Sequence, residues 1–403
     1  TVNTNANRAI NSYSTLRLLD FFPFPTNYQL LMKRKLFLSL AAVLMAAFAI
    51  KAQIPSDEQL RRYAAQMLMV GFKGNTVDAE SDAARYIRDL KVGSIVLFDI
   101  DLTGTAKLGS RNITSQEQLA KLTADLQAFA DYPLLIAADQ EGGRVQRLKP
   151  AYGYEKLPEA EYLGKLDNRD TTKHYARLMT EQLASSGVNL NLAPVLDVLN
   201  PECPPIGKLH RSFGSDADVI VRQAGIQIDE MHRRHILNVV KHFPGHGNAL
   251  GDSHWGFVDV TDTRTPAELE PFRKLIKKGK VDMVMTAHII NANIDPEHPA
   301  TLSRKTIDGV LRKQLGYDGV VVSDDMYMEG IIKKYDIENA LVLAINAGCD
   351  LLCVGNNINT GFEADRPFRL VDLIVKNVKN GRIPWGRIVQ SHRRIEKLLK
   401  KLK

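Results

Sequence analysis

The residues best suited to chemistry crowd between Lys241 and His254. Lys241-His242-Phe243-Pro244-Gly245-His246-Gly247 is followed, after Asn248 to Gly251, by Asp252-Ser253-His254, so three His, one Lys and one Asp fall within 14 residues. Gly245, Gly247 and Gly251 permit left-handed or tight backbone and a loop that folds over a site and moves. Asp252-x-His254 has the spacing of a carboxylate–imidazole dyad. An acceptor on one ring nitrogen fixes the tautomer and raises the basicity of the other, which makes His254 a general acid and base near neutral pH. Asp324 closes the apolar run that begins at Gly319; a carboxylate so placed is a nucleophile or an electrostatic partner.

Two other readings compete for these side chains. His242, His246, Asp252 and His254 could ligate zinc. Against this, Pro244-Gly245 separates His242 from His246, so the two do not share a helical face, and Lys241 beside them repels a cation. No metal and no other cofactor is expected. Asp324 or Asp325 could instead cap a following helix.

What must position these groups is a set of apolar runs alternating with helical patterns. The spacing predicts strands over Met67–Phe72, Val92–Phe98, Leu134–Asp139, Val188–Leu192, Asn238–His242, Asp282–His288, Gly319–Asp324 and Asp350–Gly355. Helices are expected over Gln116–Ala130, Thr171–Ser186, Ala217–Arg234, Pro266–Lys278, Thr306–Leu315 and Ile337–Ala347. Apolar strands separated by helices indicate a parallel sheet covered on both faces. Eight such units fit an α/β fold of the closed (β/α)8 TIM-type barrel in a single domain. The alternative, an open doubly wound sheet, normally carries a Gly-rich phosphate turn after the first strand, and Gly71-Phe72-Lys73-Gly74 is not one. Asp139, Lys241-His242, His288 and Asp324 all fall at strand C-termini, the face on which barrels build their sites.

The 403 residues are 44% hydrophobic and 25% charged, an ordinary globular composition. Met32-Lys33-Arg34-Lys35, an apolar run from Leu36 to Ile50, and Lys51-Ala52-Gln53 read as a secretory signal over residues 32–52. A retained membrane anchor is the alternative, although the run is short for a span. No Cys follows it to take a lipid. Residues 1–31 show no periodic pattern and read as upstream of the start at Met32, so the barrel is expected over 53–403. The net charge of +7 belongs largely to the leader, since the remainder has 47 basic and 45 acidic residues. The basic C-terminus alternates with Ile395, Leu398, Leu399 and Leu402 at helical spacing, which reads as a solvated helix face and not as a nucleic-acid patch. Cys349 and Cys353 are separated by roughly 13 Å of strand and are read as buried, unpaired residues; Cys203 is placed in a loop.

Four segments together resemble glycoside hydrolase family 3, in its β-N-acetylglucosaminidase branch. They are Lys241 to His254, Asp139-Gln140-Glu141-Gly142-Gly143-Arg144-Val145-Gln146-Arg147, Arg211-Ser212-Phe213-Gly214 and Val322-Ser323-Asp324-Asp325-Met326. The resemblance runs from near Gln59 to the C-terminus. It implies that Asp324 attacks the anomeric carbon, that His254, polarised by Asp252, is acid and base, and that Asp139, Arg147, Arg211, Lys241 and His242 line the pocket for the terminal sugar. Retaining glycosidases usually use two carboxylates; here a His stands for one of them. Three departures from the family pattern are Gln140 where a His is common, expected to alter pocket polarity, an insertion from Asp99 to Gly109, and Tyr327 where a small residue is common. The implied protein is an exported, periplasmic or secreted monomer acting on β-linked N-acetylglucosamine glycans or cell-wall fragments. It has no nucleic-acid partner and no stable membrane insertion once the signal is cleaved. Phosphorolysis, in which the His spares phosphate the repulsion of a Glu, a broader β-glycosidase activity of the same family, and non-catalytic binding of cell-wall glycans are the rival functions.

Overall fold

In the computed structural model, residues 55–358 and 361–402 are described. The expected leader over 32–52 and the segment 1–31 lie outside them. The chain divides into two units, Thr1–Glu58 and Gln59–Lys403, and the second holds the barrel. Among the described residues no helix is long and apolar enough to cross a membrane.

All eight expected strands form. They are β1 (Leu68–Val70), β2 (Ser94–Leu97), β3 (Leu135–Ala138), β4 (Leu190–Asn191), β5 (Leu237–Phe243), β6 (Met283–Thr286), β7 (Val320–Ser323) and β8 (Leu352–Val354). Every residue in them is buried, as strands walled on both faces require. They pair in parallel in the order β7-β6-β5-β4-β3-β2-β1-β8. A parallel bridge from Val322 to Leu351, with the Ser323 N–H donating to the Leu351 carbonyl at 3.0 Å, brings β7 to β8 and closes the ring.

Helices α1 (Asp57–Gln66), α2 (Gln116–Ala128), α3 (Arg169–Ser185), α4 (Ala217–His232), α5 (Glu270–Lys277), α6 (Ile337–Ala347), α7 (Arg366–Lys379) and α8 (Trp385–Leu399) are the main members of the outer layer. Several start where a short polar side chain satisfies a free N–H: Ser115 accepts from Gln118, Asn168 from Thr171 and Asp336 from Asn339. The helix expected over Thr306–Leu315 is a helical segment over Lys305–Gln314, and the one expected from Pro266 opens with a tight turn, Pro266–Leu269, before α5. α8 buries Ile388, Ile395 and Leu398 and turns its basic side outward. All three Cys are buried and unpaired, with Cys353 in β8.

The two barrel ends differ in kind. Below the N-terminal ends of β7 and β8, the buried Asp350 accepts from Arg312, Arg387 and Ser391 at 2.7–2.8 Å, a knot that ties helices to the barrel. The C-terminal ends carry the polar groups that face a cavity.

Candidate active site

Asp139 follows β3 directly, and Glu141 lies two residues on in a short ribbon (Gln140–Gly142 with Val145–Gln146). Lys241 lies near the end of β5. Its ammonium is 2.8 Å from Asp139 Oδ1 and 2.7 Å from Glu141 Oε1, and its side chain is 2% exposed. Arg147 donates to the other Asp139 oxygen at 2.8 Å. Arg211 grips Glu141 with a two-pronged fork, Nε and Nη2 each at 2.8 Å. A buried carboxylate is costly unless paired and hydrogen-bonded. Burial pushes the Asp139 carboxyl up, but Lys241 and Arg147 outweigh it and hold the carboxyl well below its ordinary range. Glu141 is lowered in the same way, burial being overcome by Arg211 and Lys241. The result is a charged, ion-paired floor, with Arg147 Nε left without a hydrogen-bond partner among the described residues.

Consecutive strand residues ordinarily face opposite sides, yet Lys241 and His242 both line the cavity. The pairing of β5 with β6 slips between Val240 and Phe243, and that irregularity turns both inward. His242 is fixed from behind by the buried Asp197, whose Oδ2 is 2.6 Å from Nδ1, leaving Nε2 facing Arg211 Nη2 at 3.4 Å. Asp197 Oδ1 accepts the N–H of His246 at 2.8 Å, so one carboxylate sets both the imidazole and the start of the loop.

That loop carries the dyad. His254 Nδ1 is 2.6 Å from Asp252 Oδ1, and the same oxygen accepts the His254 N–H at 3.0 Å. Partial desolvation lowers the pKa of the half-exposed His254, but Asp252 and Asp324 outweigh it and raise the pKa above its ordinary value. His246 sits beneath the loop with Nε2 3.3 Å from Ser253 Oγ; burial drives its pKa down to about 4, so it is neutral. Asp324 follows β7 and accepts the Asp325 N–H at 2.8 Å. Its burial is outweighed by His288, His242 and His254, which hold the carboxyl below its ordinary range and keep it ionised. The N-cap of the short helix after β7 is Met328, so neither Asp324 nor Asp325 caps it. Asp325 instead accepts the N–H groups of Tyr327 and Gly355 at 2.9 Å, joining the β7 and β8 loops.

Asp139, Arg147, Arg211, Lys241, His242, His254 and Asp324 all line one cavity of about 340 Å³, within the range of small-ligand sites. Asp252 stands behind His254. Each of the expected site residues therefore converges, from the loops of β3, β4, β5 and β7. His242, His246, Asp252 and His254 do not form a compact ligand set for zinc: their close partners are Asp197, Ser253 and one another. The sequence reading missed Glu141, Asp197 and Asp99. Glu141 lies two residues beyond Asp139, the spacing of one strand face, and Asp197 is the lone acid in the apolar run from Leu192 to Val198.

The model of the glycosyl hydrolase family 3 N-terminal domain matches residues 59–398. The chain belongs to glycosyl hydrolase family 3. A β-hexosaminidase of Tolumonas auensis is 35% identical over 343 residues, covering 81% of this chain and 94% of the relative. A family 3 β-N-acetylglucosaminidase from Paenibacillus sp. str. FPU-7 superposes with a TM-score of 0.76 at 36% identity, covering 85% of this chain; the chain spans only 62% of that protein. A β-N-acetylhexosaminidase from Beutenbergia cavernae gives a TM-score of 0.74 at 31% identity, with 85% and 98% covered. The (β/α)8 barrel and the glycoside hydrolase assignment stand together, and the ligand class is carbohydrate.

Two departures from the family pattern act away from the cavity of this glycoside hydrolase. Gln140 was expected to change pocket polarity, but it is fully buried and braces the ribbon, its Oε1 accepting the N–H groups of Arg147 and Leu148 at 3.0 Å. Tyr327 packs beneath the Arg366 guanidinium at 4.1 Å. The third departure does reach the site: Asp99, Ile100 and Leu102 line the cavity, and Asp99 is paired with Lys149 and Tyr152.

Proposed function

We propose that this glycoside hydrolase is a retaining exo-β-N-acetylglucosaminidase that releases terminal N-acetylglucosamine from β-linked glycans. The observation that carries the reading is the convergence of an ionised, partly buried Asp324 and a carboxylate-backed His254 on one cavity with an ion-paired floor. In the first step an Asp324 oxygen attacks the anomeric carbon while His254 gives its proton to the glycosidic oxygen. The C–O bond to the leaving group breaks and a glycosyl ester forms. His254, now neutral, takes a proton from water as that water attacks the anomeric carbon, and Asp324 leaves as carboxylate. Asp252 stabilises the imidazolium before the first step and after the second. Asp139, Arg147, Arg211, Lys241 and His242 hold the hydroxyls of the terminal sugar.

The names of the similar proteins support an N-acetylhexosamine at the terminal position. The signal-like pattern of residues 32–52 supports an exported enzyme, and hence peptidoglycan-derived fragments as substrate. Product analysis by mass spectrometry, on aryl N-acetyl-β-glucosaminides, chitooligosaccharides and peptidoglycan fragments with and without phosphate, tests the reading. Free N-acetylglucosamine is expected, independent of phosphate, and Asp324→Ala should abolish it. Sugar-1-phosphate as the main product, or turnover by Asp324→Ala, would overturn the assignment.

A further inference from the structure

Among the described residues seven large apolar side chains stand exposed, and five of them, Leu102, Leu108, Leu250, Trp255 and Phe257, belong to the loops after β2 and β5. Exposed apolar groups scattered singly need no explanation, but a concentration in two loops that reach the cavity, one through Leu102 and the other through His254, marks a contact surface.

Trp255 follows His254 directly. Its backbone is anchored: its N–H donates to the Asp252 carbonyl at 3.1 Å, its carbonyl accepts from Lys333 Nζ at 3.1 Å, and the neighbouring Ser253 carbonyl accepts from the Gly330 N–H at 3.1 Å. The side chain nevertheless stands 63% exposed. Phe257, two residues on, has the Lys334 ammonium 5.4 Å from its ring centre, whereas no ring or cation stacks on Trp255 among the described residues. Leu102 is 56% exposed and still lines the cavity, its N–H held by Asn357 Oδ1 at 2.9 Å. In the closed ring β2 and β5 lie three strands apart, so the two loops reach the mouth from different sides.

The acid must stand at the glycosidic oxygen, which is the boundary between the terminal sugar and the leaving group. The terminal sugar is met by charges: Lys241, Asp139, Arg147 and Arg211. The residue after the acid is an indole held on a fixed backbone. A pyranose offers such a surface its C–H face, and polarised C–H groups favour the negative face of an aromatic ring.

We propose that Trp255 and Leu102 form the leaving-group subsite of this enzyme, and that it accepts a second pyranose ring stacked on the indole. The proposal rests on the activity proposed above. The test compares N,N′-diacetylchitobiose, whose leaving group is a sugar, with methyl N-acetyl-β-glucosaminide, whose leaving group has no ring. Trp255→Ala should lower kcat/KM on the disaccharide about tenfold more than on the methyl glycoside, equivalent to about 1.4 kcal/mol. Trp255→Phe should restore most of that preference, and Leu102→Ser should weaken it in the same direction. Equal losses on both substrates, or none on the disaccharide, overturn the subsite while leaving the activity intact. A wild-type enzyme silent on both overturns the activity and the subsite with it.

Binding alone supplies a second readout. The chain has two Trp, and Trp385 is stacked on Tyr63 with ring centres 5.5 Å apart. In Asp324→Asn the disaccharide should shift the tryptophan emission, and adding Trp255→Phe should remove the shift. A disaccharide that binds Asp324→Asn with no change in emission overturns the proposal.

Discussion

His254 Nδ1 lies 2.6 Å from Asp252 Oδ1, while the same residue lines the cavity that holds Asp324. Two carboxylates therefore act on one ring, and both raise its pKa against the partial desolvation that lowers it. The direction of the pH response follows. The first step needs Asp324 ionised and His254 protonated, so kcat/KM should trace a bell. The acid limb belongs to the lowered Asp324, and the alkaline limb to His254, above its ordinary value. Asp252→Asn keeps the shape and removes the charge, so the alkaline limb should move to lower pH and the rate at neutral pH should fall. An unchanged alkaline limb would show that Asp252 does not act through His254.

The same ring gives a second expectation. A poor leaving group cannot depart without a proton, whereas an activated phenol can. His254→Ala should cost about 10²–10⁴-fold in kcat on a disaccharide, the usual range for lost acid catalysis, and much less on a nitrophenyl glycoside. Equal losses on the two substrates in side-by-side kinetics would remove the acid role from His254.

Asp197 was not among the residues read as functional, yet it fixes His242 through Nδ1 at 2.6 Å and the loop through the His246 N–H at 2.8 Å. In Asp197→Asn one acceptor and the charge are lost, and the His242 tautomer is no longer set. Hydrogen bonds to charged groups contribute about 1.5–3 kcal/mol, so a 10- to 100-fold fall in kcat/KM is expected. With His242 proposed to hold the terminal sugar, the fall should lie mainly in KM, as for an interaction made equally in ground and transition states. A loss confined to kcat would move His242 from sugar binding into the chemical step.

The barrel was legible because each strand is an apolar run, and four of these runs end in polar residues, at Asp139, Lys241-His242, His288 and Asp324. The dyad was legible because Asp252 and His254 are close in sequence. Asp197 and Glu141 were not, because their partners are distant in the chain: Asp197 meets His242 across 45 positions and Glu141 meets Arg211 across 70. Gln140 was expected to alter pocket polarity because a His is common at its position, whereas the ribbon turns it into the core. The indole of Trp255 carried no sequence signal of its own; its meaning comes from its exposure and from its fixed backbone next to His254.

The loop after β2 depends on one buried cation. The Arg111 side chain is fully buried; Nη1 is 3.0 Å from both Asp101 Oδ1 and Asn357 Oδ1, and Nη2 is 2.8 Å from the Asn356 carbonyl. It thus ties the insertion that carries Leu102 to the segment after β8. Removing one partner of a buried pair costs about 3–5 kcal/mol, because the other charge is left without compensation. Arg111→Ala should lower the denaturation midpoint accordingly and open the Asp99–Gly109 loop to limited proteolysis. Lys73, 3.0 Å from Asp101 and partly exposed, offsets only part of the loss. The double variant Arg111→Met with Asp101→Asn should be less destabilised than the sum of its single variants, since it removes both charges at once. Additive losses in that cycle would show that Arg111 holds the loop by packing against Phe98 and Phe362, whose ring centres lie 5.9 and 5.6 Å from its guanidinium carbon, and not through its charge.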